Sequence, residues 1–134
     1  MVWRAIVAGA SLALLSGAAF AGCVTETLTV ASGVVENSNG TGRTASRSDC
    51  LRIGNNEAVT PDSWSVRLVD GGGVKKECRG PRIERSNIQV GVQTFERVSG
   101  ICYTAHAETG SGTDRIGMEA WAVCEIRVEV CSPD

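Results

Sequence analysis

The chain has 134 residues and a formal net charge of −2, which is the size of one small domain and leaves no room for several. This mildly acidic balance gives no reason to expect nucleic acid as the partner, because nucleic-acid binding needs a strongly basic surface. The six cysteines form an even set in a short chain, which predicts a disulfide framework.

The first twenty-one residues have the pattern of a secretory signal peptide. Arg4 supplies a positive charge, residues 5–19 are uncharged and apolar, and Ala19-Phe20-Ala21 fits the small-x-small cleavage rule. We therefore predict cleavage after Ala21 and a single disulfide-rich β-domain over residues 22–134, secreted or periplasmic. A transmembrane anchor is the competing interpretation, but it needs about 20 strongly apolar residues. No other segment is apolar enough to span a membrane.

Lipidation is a second alternative for the same segment. Phe20-Ala21-Gly22-Cys23 resembles a bacterial lipobox, in which the cysteine becomes the acylated first residue, although Phe20 stands where an aliphatic residue is usual. Acylation of Cys23 would leave five cysteines. The even number favours the form without a lipid.

The composition after the signal predicts an all-β domain. Leucine is scarce there, whereas valine, isoleucine and threonine are abundant. These β-branched residues suit the pleated surface of a sheet and lose rotamer freedom in a helix. We predict an antiparallel β-sandwich with Greek-key-like connections, and a small β-barrel is the alternative.

Period-two alternation of apolar residues predicts the individual elements. In chain order they are a strand at residues 24–30, a long polar loop at 31–49, a short strand at 50–53, a hairpin over 64–79, a strand over 88–98 kinked at Gly91, a strand at 101–108, a loop at 109–114 and a long final strand at 115–131.

The final strand has the clearest pattern. Every even position from Ile116 to Val130 is apolar, so one face of this strand is predicted to be buried. If it forms a hairpin with the strand at 101–108, with Glu108 opposite Arg115, all the apolar residues of both strands fall on one face. A slip of one residue would destroy this match. A helix over residues 118–125 is the alternative for part of this segment.

The spacing of the cysteines restricts their pairing only in part. Cys124 and Cys131 lie on one predicted strand, about 23 Å apart, which is too far for a disulfide. We predict Cys23–Cys50, which would close the polar loop, and leave the other four cysteines unassigned. The full set is Cys23, Cys50, Cys78, Cys102, Cys124 and Cys131. Their spacing lacks the Cys-x2-Cys pattern of zinc sites, so we expect no metal and no cofactor.

No catalytic constellation is apparent, and we predict that the protein is not an enzyme. His106 is the only histidine, and no Gly-x-Ser-x-Gly motif accompanies it. Glu125 and Glu129 would lie about 13 Å apart along one strand, too far for a glycosidase pair. A hydrolase that uses His106 is therefore the last of our functional hypotheses.

One local positive cluster is the candidate binding site. It consists of Lys75, Lys76, Arg79, Arg82 and Arg85, interrupted by Glu77 and Glu84. It could contact a protein, an anionic polysaccharide or another envelope component. The alternative is an edge strand that its charges keep from aggregating. On a strand, Lys75 and Arg79 share one face and Lys76 lies on the other, so the cluster need not form one patch.

These observations predict an exported, non-enzymatic β-domain. It would bind a macromolecular partner or form part of an envelope or surface structure. A secreted, disulfide-rich inhibitor of a hydrolase is the alternative, because a stiff loop loses little entropy on binding.

Overall fold

A computed structural model describes residues 20–60 and 62–133 of the chain. The predicted signal peptide, up to residue 19, lies outside the described residues. The strands are β1 (Phe20–Ala31), β2 (Val35–Glu36), β3 (Thr44–Arg52), β4 (Ala58–Val59), β5 (Ser65–Gly72), β6 (Lys75–Val90), β7 (Gln93–Glu108) and β8 (Glu119–Pro133), with a short 3-10 turn at Thr113–Arg115. In the described part of the chain, no helix is long and apolar enough to cross a membrane.

Two antiparallel sheets form a β-sandwich and do not close into a barrel, so the predicted fold class is confirmed. In the first sheet β8 is central: β1 pairs with it along one edge and β5 along the other, while the short strands β2 and β4 pair with its two ends. In the second sheet β7 is central and lies between β3 and β6.

The core lies between the two central strands. The even positions of β8 from Ala120 to Val130 are buried, as the alternation predicts. The side chains that face them from β7 include Ile101, Tyr103 and two alanines. The small alanines let the two sheets approach closely, and the larger aliphatic residues fill the rest of the interior.

Three disulfides hold the sandwich together, and they correct one prediction. Cys23 pairs with Cys131 across β1 and β8, Cys50 pairs with Cys102 across β3 and β7, and Cys78 of β6 pairs with Cys124 of β8. The predicted Cys23–Cys50 bond is therefore wrong, because each of these cysteines is bonded to the cysteine directly opposite it on a neighbouring strand. Cys124 and Cys131 are not bonded to each other, in agreement with the strand geometry.

Two predicted hairpins are wrong: the one over residues 64–79, and the one between the strands at 101–108 and 115–131. β7 and β8 are not neighbours in one sheet but belong to the two facing sheets, and so do β5 and β6. The physical reason is the same in both cases. Alternation specifies which face of a strand is buried, and that face can be shared with a neighbour in the sheet or with a strand across the core.

Other boundaries also differ from expectation, and β6 continues beyond the predicted end of the hairpin at residue 79 as far as Val90. The predicted polar loop at 31–49 contains β2 and the first part of β3, because strands with an exposed face tolerate Ser, Thr and Arg. The final strand begins at Glu119, since Gly117 has a φ of 92° that interrupts extended backbone. The predicted strand over 88–98 is a hairpin, in which Val90 is opposite Gln93 and Gly91-Val92 forms the turn.

Candidate functional site

The outer face of the β3–β7–β6 sheet carries most of the chain's candidate functional groups. Along β6, all five residues of the positive cluster are present within the strand: Lys75, Lys76, Arg79, Arg82 and Arg85. Lys76 is opposite the buried Ala107, whereas Lys75 is opposite Glu108, so neighbouring lysines project to opposite faces. The structure therefore does not gather the five cations into one patch.

Three carboxylates lie beside four of these cations. The Lys75 Nζ atom lies 3.8 Å from Glu77, the Arg82 Nη1 atom 2.9 Å from Glu84, and the Arg85 Nε atom 3.6 Å from Glu96. Arg79 also forms an ion pair, with Glu77. The positive charges of β6 are thus partly offset by carboxylates, which is unfavourable for binding an extended anionic chain.

The guanidinium groups keep these carboxylates ionised. The hydrogen bond from Arg79 holds the pKa of Glu77 below its ordinary value. Hydrogen bonds from Arg82, and then from Arg52, do the same for the pKa of Glu84. At neutral pH both glutamates are negative, and the ion pairs on this face persist.

His106 lies in the middle of the same face. Its Nε2 atom is 2.6 Å from Glu108 Oε2, and the residue is only 7% exposed although it is on the outer side of the sheet. Its Nδ1 atom is buried without a hydrogen-bond partner. Ser46 is its neighbour on β3, but no serine hydroxyl bonds to either ring nitrogen in the described residues. The arrangement holds the ring in place and offers no activated nucleophile.

Two clusters of potential metal ligands contain disulfide sulfurs. Cys50 and Cys102 lie close to Glu84, and Cys23 and Cys131 lie close to Glu129. Because each pair of sulfurs is joined in a disulfide, neither cluster offers the thiolates that zinc requires.

A small polar hollow of about 270 Å³ lies beside the end of β7. Its lining consists of Gly42, Arg43, Thr44, Glu108, Gly110 and Ser111. None of these six residues has the hydrophobic or aromatic side chain that typically lines a small-molecule site.

Sequence reasoning missed an exposed apolar surface on the β6–β7 hairpin. β3 pairs with β7 only as far as Gly100, so beyond that point the β6–β7 hairpin continues as a two-stranded arm, residues 86–96. Arg97 fixes its base by donating to the main-chain carbonyl of Ile53 at 3.1 Å.

Exposed apolar side chains cluster on one face of this arm and at its turn. Ile88 and Phe95 are opposite each other and are 37% and 47% exposed. Val90 follows two positions after Ile88, on the same face, and Val92 at the turn is 97% exposed. We call these four residues the apolar face. The sequence pattern does not reveal this cluster, because it predicts a single strand over residues 88–98 that is kinked at Gly91. A two-residue turn at Gly91-Val92 would have placed Ile88 opposite Phe95.

No protein-family model, curated protein or solved structure matches this chain.

Proposed function

We propose that this chain is an exported, non-enzymatic binding module that contacts a partner protein through the apolar face of its arm. The concentration of Ile88, Val90, Val92 and Phe95 on one protruding hairpin is the observation that carries this proposal. Clustered exposed apolar side chains cost solvation free energy in an isolated domain, and they commonly mark protein interaction sites.

The charge distribution favours a protein over an anionic polysaccharide as the partner. A polysaccharide would need several uncompensated cations, but Lys75, Arg79, Arg82 and Arg85 each lie beside a carboxylate. A protein partner can cover the apolar face and also exchange ion pairs with the charged part of the sheet.

The disulfides support export and the form without a lipid. Three disulfides are compatible with an extracellular or periplasmic location, where such bonds persist. The sulfur of Cys23 is bonded to Cys131, and a sulfur in a disulfide cannot also carry a lipid thioether. This supports signal cleavage after Ala21 over acylation of Cys23.

The inhibitor hypothesis is a special case of this proposal, in which the partner is a hydrolase. Val92 supports it, because it is almost fully exposed at the end of a narrow hairpin and could enter a substrate cleft. Inhibition at one-to-one stoichiometry, lost in Val92→Asp but retained after the same change at the exposed Val34, would establish this case.

The general proposal is tested with two double variants. I88S/F95S removes the two opposed side chains of the apolar face, while V34S/I116S removes two exposed apolar side chains elsewhere. We expect a partner captured from the exported fraction by the wild type to bind I88S/F95S about 30-fold more weakly, from roughly 1 kcal/mol for each half-exposed side chain that the partner covers. Binding of V34S/I116S should be unchanged.

Intact mass and circular dichroism would verify that both variants form three disulfides and the same sheet content. If the folded I88S/F95S variant binds as tightly as the wild type, the apolar face is not the contact surface. Equal losses in both double variants would also refute the proposal.

A further inference from the structure

The two halves of β6 differ sharply as sheet edges. The half near the sandwich carries the five cations, Pro81 and a bulge between Arg79 and Arg82. Charges, prolines and bulges are the features that prevent another strand from pairing with an edge. The half in the arm, residues 86–90, has the sequence Ser-Asn-Ile-Gln-Val and contains no charge, proline or glycine. β6 pairs only with β7 among the described strands, so this unprotected edge is accessible.

The turn determines which main-chain groups face that edge. In a hairpin with a two-residue loop, the residues that flank the loop exchange hydrogen bonds, and bonded positions alternate along the strand. Val90 and Ile88 therefore bond to β7. Asn87 and Gln89 direct their N–H and C=O groups outward, where an added strand could bond to them.

The outward sequence is complementary to itself. If two copies pair antiparallel about a two-fold axis at Ile88, each Asn87 is opposite Gln89 of the other copy. These are the positions with outward main-chain groups, so they form hydrogen-bonded pairs, and their amide side chains meet on one face. The two Ile88 residues form the intervening close pair, and no charged residue within 86–90 is brought opposite another.

We infer that the arm edge of β6, residues 86–90, pairs with the same segment of a second copy of this chain to form a symmetric dimer. The contact is isologous, because the same segment supplies both sides. Dimer formation extends the two-stranded arm to four strands and brings the apolar faces of both copies side by side. The inference does not depend on the identity of any partner protein.

The test introduces charges at Asn87 and Gln89, which do not belong to the apolar face, and compares like with opposite charges at these positions. In N87K/Q89K, each dimer pair would bring two lysines directly opposite each other, and we expect the dimer dissociation constant to rise about 10-fold or more. In N87K/Q89E, each pair would bring a lysine opposite a glutamate, and dimerisation should return to the wild-type level or above. Both variants change the same two exposed residues, so each is the matched control for the other.

Sedimentation equilibrium of the purified oxidised protein over a range of concentrations measures the dissociation constants. Added salt should partly restore the N87K/Q89K dimer, because it screens the repulsion between lysines. A wild-type protein that remains monomeric at the highest concentrations would overturn the inference. So would equal dimerisation of both variants, or failure of N87K/Q89E to dimerise with its three disulfides intact. Partner capture by I88S/F95S is a separate measurement, so failure of one proposal does not imply failure of the other.

Discussion

Cys78 of β6 and Cys124 of β8 lie on opposite sheets with their Cα atoms 5.9 Å apart, and their disulfide passes through the core. The other two disulfides connect directly opposed residues of neighbouring strands, Cys23 with Cys131 and Cys50 with Cys102. Those two bonds reinforce pairing that the main chain already makes. The Cys78–Cys124 bond instead fixes the separation and orientation of the two sheets.

We expect C78A/C124A to destabilise the fold more than C50A/C102A does. The sequence separations are 46 and 52 residues, so loop entropy predicts nearly the same loss for both, about 4 kcal/mol. Cys102 is also buried but does not belong to the core between the sheets, whereas removing Cys78 and Cys124 leaves a cavity inside that core, which costs about 1–2 kcal/mol more. Urea unfolding of the two variants measures the difference. Equal losses would show that the core closes around the missing sulfurs.

Gly73 is predicted to be far less replaceable than Gly91, although both have positive φ. At Gly73 a Cβ atom would lie 2.7 Å from both the Ala120 Cβ and the Glu108 carbonyl oxygen, whereas nothing lies within 4 Å at Gly91. Gly91→Ala should therefore cost only the left-handed backbone, about 1 kcal/mol. Gly73→Ala should cost roughly 3 kcal/mol, because the clash is added to the backbone strain. Thermal unfolding of both variants, with Gly22→Ala as the unstrained control, distinguishes the two costs.

The His106–Glu108 pair should contribute to the acid sensitivity of the fold. The hydrogen bond with His106 holds the pKa of Glu108 below its ordinary value of 4.5. A lowered folded-state pKa means that this contribution is present above the unfolded-state pKa and is lost as the pH falls through the folded-state value. Glu108→Gln should therefore flatten the dependence of unfolding free energy on pH below about pH 4.5. An unchanged acid slope in this variant would contradict the assignment.

Tyr103 is the only tyrosine, which makes its titration directly observable. Burial raises the pKa of its phenol above the ordinary value of 10.0. The folded state favours the neutral phenol, so this contribution is complete below the unfolded-state pKa and is lost as the pH rises through the folded-state value. Ultraviolet absorbance of tyrosinate should show ionisation at higher pH in the folded protein than in urea. Coincident titration curves would show that the hydroxyl is solvated.

The sequence predicts which face of each strand is buried, but it does not predict which strands become neighbours. Ala105 and Ala122 were both assigned correctly to buried faces, because a period of two depends only on the strand that carries it. The predicted hairpin that would place both residues on one face of the same sheet is wrong, because their strands lie in facing sheets. Residues on facing sheets and residues on paired strands produce the same alternation. The pairing of Cys50 with Cys102 was inaccessible for a related reason, because it depends on which strands become neighbours.

The candidate site was predictable to a similar degree. The cations of β6 could be recognised from residue types. The apolar face could not, because it depends on interpreting Gly91 as part of a turn. With a kink at Gly91, Ile88 and Phe95 are distant positions on one strand, whereas a turn makes them opposite neighbours.

The order of the disulfides along the chain has a consequence for biosynthesis. If the chain is exported from its N-terminus, Cys23 and Cys50 are the first cysteines to meet an oxidising environment. Neither is the other's native partner: Cys23 bonds to Cys131, 108 residues later, and Cys50 bonds to Cys102. An oxidant acting early would join the wrong pair, and thiol–disulfide exchange would then be needed to correct it. Maturation should therefore depend on a disulfide isomerase, or on oxidation that is delayed until the last strand has emerged.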